Sequence, residues 1–181
     1  MTVSPATAAV GLSAAACMER AQGPAPGLRR RLAAFIYEGV LLFGLTMAVG
    51  LVYAISANQR HALQGRTGLM ASLFLALSLY FIWFWTHGGQ TLAMKTWHIR
   101  LVSERGDPPT LKQALARYIL SWLWFMPAWA GAWLAGWHQS KLLYGAMGIW
   151  ILIYTLLTWL LPQGQFLHDI ICRTRLIDTR A

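Results

Sequence analysis

Four long apolar segments constrain the fold of this chain more than any other feature of its sequence. They cover residues 33–56, 69–86, 119–137 and 143–161, and Glu38 is the one charged residue within them. Each segment approaches the length of about 20 residues that an α-helix needs to cross the hydrocarbon core of a bilayer. Barrel strands would alternate apolar and polar residues instead. We therefore predict an all-α membrane protein, a bundle of four transmembrane helices.

The distribution of positive charge predicts the orientation of these helices. The net charge is +9, and twelve of the fifteen Lys and Arg residues lie before the first segment, in residues 87–118, or after the fourth segment. Loops rich in Lys and Arg stay in the cytoplasm, so both termini and residues 87–118 are predicted to be cytoplasmic. The basic surplus then has anionic lipid headgroups as its partner, and no nucleic acid is expected.

The parts outside the apolar segments differ in expected order. Residues 1–27 contain GPAPG and are predicted to form a disordered N-terminal tail, with Met1 and Met18 both open as start positions. Residues 28–178 form the predicted transmembrane domain. Residues 87–118 are its one sizeable cytoplasmic piece, a short strand at WHIRLV followed by a turn.

Three local features add detail to this outline. Thr110 is a predicted N-cap for a helix that continues into the third span, and Pro127 should kink that span and free a carbonyl for another partner. Residues 165–177 read as an amphipathic segment along the inner membrane surface. No internal repeat of useful length is evident in the sequence.

Four charged residues form a predicted cluster near the cytoplasmic boundary. Ionisable groups at membrane depth are costly, so Glu38 is a candidate for a functional site. Arg31 lies seven residues earlier, on the same helix face and about 10 Å away along the axis. Arg117 is the better predicted partner for Glu38, with Arg31 as the alternative. Asp169 is a candidate partner for either arginine.

Three ordered motifs resemble those of the RDD family of integral membrane proteins. RRLAAFIYE resembles the opening motif, with Arg31 in the arginine position; GGQTLAMKTWHIRLV and ERGDPPTLKQALARY resemble the central motif with Arg117; QFLHDIICRTRLI resembles the closing motif with Asp169. Glu38 departs from the aspartate of the family, which keeps the charge and lengthens the reach. The resemblance implies a multi-pass protein of the bacterial cytoplasmic membrane and suggests transport, with cation/proton exchange by some members.

Two functions follow from these observations and stay open. In one, the protein transports a small cation or proton, with Glu38 as the binding group and a homo-oligomer forming the pathway. In the other, it is a scaffold that docks a membrane protein partner through residues 87–118. No nucleophile with a base, cofactor motif or metal-ligand spacing is present, so neither an enzyme nor a cofactor nor a metal site is expected. His168 and Asp169 are adjacent and point in different directions on a helix.

Overall fold

Three long helices dominate the protein, whose computed structural model describes residues 12–57, 65–137 and 140–180. They are α2 (Leu28–Ser56), α3 (Arg66–His87) and α7 (Ser140–Leu156), the last extended by a 3-10 turn (Leu157–Trp159). By length and hydropathy, three helices covering residues 28–56, 66–87 and 141–159 could cross a membrane. They correspond to the first, second and fourth predicted spans. Of the predicted links 57–68 and 138–142, residues 58–64 and 138–139 lie outside the described residues.

The third predicted span is not a continuous helix. Helix α5 (Leu111–Ser121) ends in a 3-10 turn (Trp122–Trp124), after which α6 (Met126–Leu134) begins. Pro127 lies in the first turn of α6, and its ring prevents the Leu123 carbonyl from bonding within a helix. The indole nitrogen of Trp150 donates to that carbonyl at 2.9 Å. The predicted kink and the freed carbonyl with its external partner are confirmed, and the helix is interrupted by a 3-10 turn that the sequence analysis did not predict.

A two-stranded antiparallel sheet joins two distant parts of the chain. Strand β1 (Ile99–Ser103) pairs with β2 (Thr174–Asp178), and Leu101 stands opposite Leu176 at the centre. The first strand confirms the prediction for WHIRLV. The second strand lies inside the predicted amphipathic segment 165–177, which instead forms the short helix α8 (Leu167–Ile171) and then β2. The all-α prediction, which included the one short strand at WHIRLV, is therefore wrong for the five residues of β2.

Part of the predicted tail is an ordered helix. Helix α1 (Ala14–Gln22) packs against the sheet, with Cys17 and Ala21 buried beside Val102 and Ile177. Arg20 ties it further by donating to the carbonyl of Asp178 at 2.7 Å. The prediction of a disordered tail therefore differs from the structure over residues 14–22, and residues 1–11 lie outside the described part of the chain.

Arg30, at the start of α2, joins that helix to the sheet. Its guanidinium pairs with the carboxylate of Asp178 and donates to the carbonyls of Trp97 and His98 at 2.5 and 3.0 Å. Burial raises the pKa of Asp178, but the hydrogen bonds from Arg30 and Arg180 outweigh it and hold this pKa well below its usual value. The sheet is thereby fixed against the end of α2 that carries the predicted charge cluster.

The chain contains an internal repeat that the sequence analysis missed. Residues 89–103 (GQTLAMKTWHIRLVS), the first motif, and residues 164–178 (GQFLHDIICRTRLID), the second motif, align without a gap. Each has Gly and Gln, a five-residue helix, α4 (Leu92–Thr96) or α8, one residue at φ 53°, and a strand with the same alternation of burial. The strand register is symmetric about the Leu101–Leu176 pair, so the two motifs face each other across a pseudo-twofold axis.

Candidate functional site

A cavity of about 430 Å³ lies where α2, α3, α4 and α5 converge above the sheet. Its walls are mainly aromatic and aliphatic, and several polar or charged side chains also line it: Arg31, Glu38, Thr91, Arg117, Tyr118 and His168. Three of the four residues of the predicted charge cluster therefore face one space. The fourth, Asp169, is fully buried behind it. This cavity is the candidate functional site.

Glu38 is held by two hydroxyl groups. Tyr80 on α3 donates to Glu38 Oε1 at 2.6 Å, and Thr91 donates to Oε2. Thr91 is positioned as the N-cap of α4, where its side chain also accepts from the backbone N–H of Met94. The side chain of Glu38 is 7% exposed and forms no ion pair with an arginine among the described residues. The prediction that Arg117 or Arg31 pairs with Glu38 is therefore wrong.

Arg117 pairs with Asp169. Its Nε lies 2.6 Å from Asp169 Oδ1, and its guanidinium stacks on the ring of Trp85 at 4.3 Å from the centroid. This pair joins α5 to α8, and both side chains are almost completely buried. Breaking such a pair leaves an uncompensated charge in a medium of low dielectric constant. Arg31 and Arg117 are the two predicted partners for Asp169, and in the structure Asp169 pairs with Arg117.

Arg31 has incomplete hydrogen bonds, and among the described charged residues Asp169 Oδ2 and Arg175 Nη1 also lack a partner. Its guanidinium stacks on the ring of Phe166 at 4.5 Å from the centroid. The side chain is 7% exposed, yet its Nε and Nη1 atoms have no hydrogen-bond partner among the described residues. Asp169 is the acid that interacts with it electrostatically, and this carboxylate already accepts from Arg117.

His168 completes the polar wall. Its Nδ1 lies 2.8 Å from the hydroxyl of Tyr154, and its Nε2 lies 3.6 Å from Asp169 Oδ1. Burial lowers the pKa of His168 to about 4; Asp169 opposes that change, and the arginines Arg117 and Arg31 add to it. The imidazole is therefore neutral near pH 7. Within the described residues, no group of three His, Cys, Asp or Glu side chains could hold a metal ion.

Sequence reasoning missed three residues of the site: Tyr80, Thr91 and His168. Tyr80 is a polar group inside an apolar segment, a signal that could have singled it out as a hydrogen-bond partner for Glu38. Thr91 caps α4 in addition to binding Glu38. His168 lines the cavity whereas the adjacent Asp169 does not, and the expectation that the two side chains point in different directions differs from the structure, where His168 Nε2 lies 3.6 Å from Asp169 Oδ1.

The long apolar helices and the charged cavity among them define a helical membrane protein with a polar site between its helices. The model of the RDD family matches residues 25–173, and the chain belongs to that family. No curated protein and no solved structure matches the chain. The match includes all four residues of the charge cluster.

Proposed function

We propose that this protein transports a proton or a small cation across the membrane, with Glu38 as the group that binds and releases it. One observation carries the proposal: a buried carboxyl lines a cavity and is held by two hydroxyls instead of by a cation. A hydroxyl both donates and accepts hydrogen bonds. Glu38 therefore keeps hydrogen-bond partners whether it is ionised or protonated.

The contrast with Asp169 supports this role. Asp169 accepts a hydrogen bond from the guanidinium of Arg117, which is a donor only and stays charged. Protonation of Asp169 would leave that arginine unpaired in a buried place, at a cost of several kcal/mol. Glu38 has no such partner among the described residues, so the change in its charge disturbs fewer contacts.

Four crossings, with both termini in the cytoplasm, agree with the fold. Because α1 packs on the paired strands, α1, β1 and β2 lie on one side of the membrane. Two long helices separate α1 from β1, whereas one long helix and the broken segment 111–134 separate β1 from β2. The chain can return to the same side if that segment also crosses. Its 24 residues reach up to about 36 Å as helix, and a bilayer core is about 30 Å thick.

The proposed setting is a bacterial cytoplasmic membrane, with anionic headgroups beside the basic side that carries the sheet. A homo-oligomer is part of the proposal. The buried residues of α2 are Arg31, Ala34 and Glu38, all in its first eleven residues. Further along, α2 exposes large apolar side chains: Val40, Phe43, Met47, Leu51, Val52 and Ile55. Lipid or a second copy of the chain would cover them.

A flux assay in proteoliposomes tests the proposal. Imposed gradients of H⁺, Na⁺ and K⁺ should drive flux through the wild-type protein, and Glu38→Gln should abolish it while insertion and folding persist. Glu38→Asp, which carries the acid usual in the family, should retain part of the flux. Glu104→Gln is the matched control, because Glu104 is a half-exposed acid that pairs with Arg175 outside the cavity.

Absence of flux above empty liposomes for all three cations would contradict the proposal. The alternative is then a scaffold that docks a membrane protein partner through residues 87–118. Co-purification of a partner that is lost when this segment is altered would support that alternative. The segment is already engaged within the chain, since β1 pairs with β2 and Val102 packs against α1.

A further inference from the structure

We propose that the cavity binds an organic anion, a carboxylate or phosphate group on an apolar body, and that Arg31 holds its charged group. The inference deepens the proposed function by naming the substrate class. It rests on that function only in one respect, namely that protonation of Glu38 favours the binding of the anion.

The unmet hydrogen-bonding capacity of Arg31 is the first step. A guanidinium carries five N–H donors in one plane and binds carboxylate or phosphate through its edge. Phe166 covers a face of the Arg31 guanidinium and so leaves the edge for an acceptor. Two of its nitrogen atoms have no acceptor among the described residues. Both atoms are buried, so the binding of an anion requires the guanidinium to move until they face the cavity.

The balance of charges around the cavity is the second step. Arg31 and Arg117 contribute two positive charges, and Asp169 contributes one negative charge beside Arg117. His168 is neutral at physiological pH, and the remaining ionisable groups there are the phenols Tyr80, Tyr118 and Tyr154. The net charge of these groups is zero when Glu38 is ionised and +1 when Glu38 is protonated. An anion therefore matches the protonated state.

The walls and the opening of the cavity specify the rest of the ligand. A volume of about 430 Å³ lies within the range of small-molecule sites. Aromatic side chains line it, among them Phe81, Trp85 and Trp124. Phe35 and Ile36 also line the cavity while being 48% and 67% exposed, so it opens beside α2 between apolar side chains. An apolar body on the anion fits both the walls and this opening.

Calorimetric titration of the purified full-length protein in detergent is the primary test, with benzoate as the probe and benzamide as its neutral analogue. Wild-type protein should bind benzoate more tightly than benzamide. Arg31→Gln should weaken benzoate at least about tenfold, the size of one charge-assisted hydrogen bond, and leave benzamide unchanged. Equal binding of the two probes to the wild-type protein would overturn the proposal.

Two further variants guard against a folding defect. Arg29→Gln is the matched control, because Arg29 is exposed two residues away on α2 and lies outside the cavity lining. It should bind benzoate like the wild-type protein. Arg31→Lys keeps the charge without the planar fork and should give intermediate affinity. If Arg31→Lys binds benzoate as weakly as benzamide while still folded, the role of the Arg31 charge is refuted.

The pH dependence separates this inference from the proposed function. Benzoate affinity of the wild-type protein should rise by about tenfold in all as lowering the pH protonates Glu38, the effect of one charge at about 10 Å. Glu38→Gln should bind benzoate tightly without this dependence on pH. Arg31-dependent binding without cation flux would refute only the proposed function. Cation flux without Arg31-dependent binding would refute only the anion site.

Nanodiscs distinguish a free acid from a lipid headgroup. Benzoate titrations are repeated in phosphatidylcholine nanodiscs with and without phosphatidylglycerol. If phosphatidylglycerol competes with benzoate, the occupant is a headgroup phosphate. If phosphatidylglycerol does not compete, the occupant is a small organic acid. Both results support an anion site at Arg31. Loss of benzoate binding in both kinds of nanodisc would overturn it.

Discussion

The two halves of the molecule, residues 28–103 and 111–178, share one plan and use their charges differently. Each half has a pair of helical segments followed by a Gly-Gln motif, a short helix and a strand. The starts of α2 and α5 also align, as LRRRLAAFI and LKQALARYI. In this alignment Ala114 takes the place of Arg31, and Ala34 takes the place of Arg117. Each half therefore contributes one arginine to the cavity, and at the aligned position the other half has a buried alanine.

The acids follow the same division. Asp169 of the second half is bound through Oδ1 to Arg117 of that half. Glu38 of the first half meets Tyr80 and Thr91, and Arg31 extends over Phe166 of the second half. The second half therefore uses its charges to hold its helices together. In the first half, Glu38 and Arg31 do not pair with each other. Both functional proposals concern these two residues.

The largest expected effect compares the two acids. Asp169→Asn should lower the free energy of unfolding by about 3–5 kcal/mol, because Arg117 is left buried without a counter-charge. Glu38→Gln should cost only about 1 kcal/mol, because the amide can still bond both hydroxyls. Denaturant titration of each variant in detergent measures the difference. Equal costs would show that the two halves hold their acids in the same way.

A second variant checks the cause of that loss. Arg117→Met combined with Asp169→Leu removes both charges and should recover most of the stability. A double variant as unstable as Asp169→Asn would assign the loss to packing and not to the unpaired arginine.

The next effect concerns His168, which stands where the first motif has Ala93. Because burial holds the pKa of folded His168 at about 4, below the ordinary histidine value of 6.5, the unfolded chain binds a proton more readily. Stability is therefore complete above pH 6.5 and falls as the pH drops toward 4, by about 2 kcal/mol at pH 5. His168→Gln should flatten this part of the pH profile of the unfolding free energy. An unchanged profile in the variant would assign the acid sensitivity to other groups.

The two motif glycines should differ despite their similar backbone. Gly89 and Gly164 have φ values of 70° and 69°. A Cβ at Gly89 would lie 2.3 Å from the carbonyl oxygen of Leu101, whereas at Gly164 the nearest atom is 3.9 Å away. We expect Gly164→Ala to cost about 1 kcal/mol from backbone strain and Gly89→Ala about 3 kcal/mol. Thermal unfolding of both variants measures this, and equal losses would argue against the close approach.

The smallest effect isolates Thr91, whose counterpart in the second motif is Phe166. Thr91→Val removes one hydrogen bond to Glu38 and the cap of α4, and should cost about 1–2 kcal/mol. Thr91→Ser keeps the hydroxyl and should therefore keep both the hydrogen bond to Glu38 and the cap of α4. Unfolding measurements on the two variants decide the matter. If Thr91→Ser is as unstable as Thr91→Val, the methyl group and not the hydroxyl stabilises this position.

Much of the fold could be predicted from single-sequence periodicity, and the failures have a common cause. The long helices follow from local apolar runs, and Thr110 is the N-cap that its sequence predicts, where it forms a capping box with Gln113. Strand β2 depends on a partner about 75 residues away. Its own sequence, TRLID, has one arginine beside two apolar residues and fits a surface helix equally well. The broken helix at Trp122 to Phe125 likewise depends on Trp150 of another helix.

The membership of the site could be predicted, but its pairing could not. Rarity of charge singled out Arg31, Glu38, Arg117 and Asp169, and three of them face one cavity. Which acid meets which arginine depends on how α8 turns back against α5, and no local pattern encodes that turn. The sequence predicts an arginine as the partner of Glu38, because charged residues stand out in an apolar sequence and hydroxyl groups do not. Tyr80 and Thr91 are common residue types, and only the packing of α3 and α4 brings them to Glu38.

The pairing of β1 with β2 also sets an order for biosynthesis. During synthesis β1 emerges first, and it has no strand partner until α7 and the second motif have been made. An unpaired strand edge is prone to wrong association, and contacts between distant residues form late. The contacts that Arg20 of helix α1 and Arg30 make with Asp178 can also form only after β2 has been made. Assembly of the sheet thus reports that both helix pairs have been inserted, and a chain arrested before β2 would offer a free strand edge to chaperones and proteases.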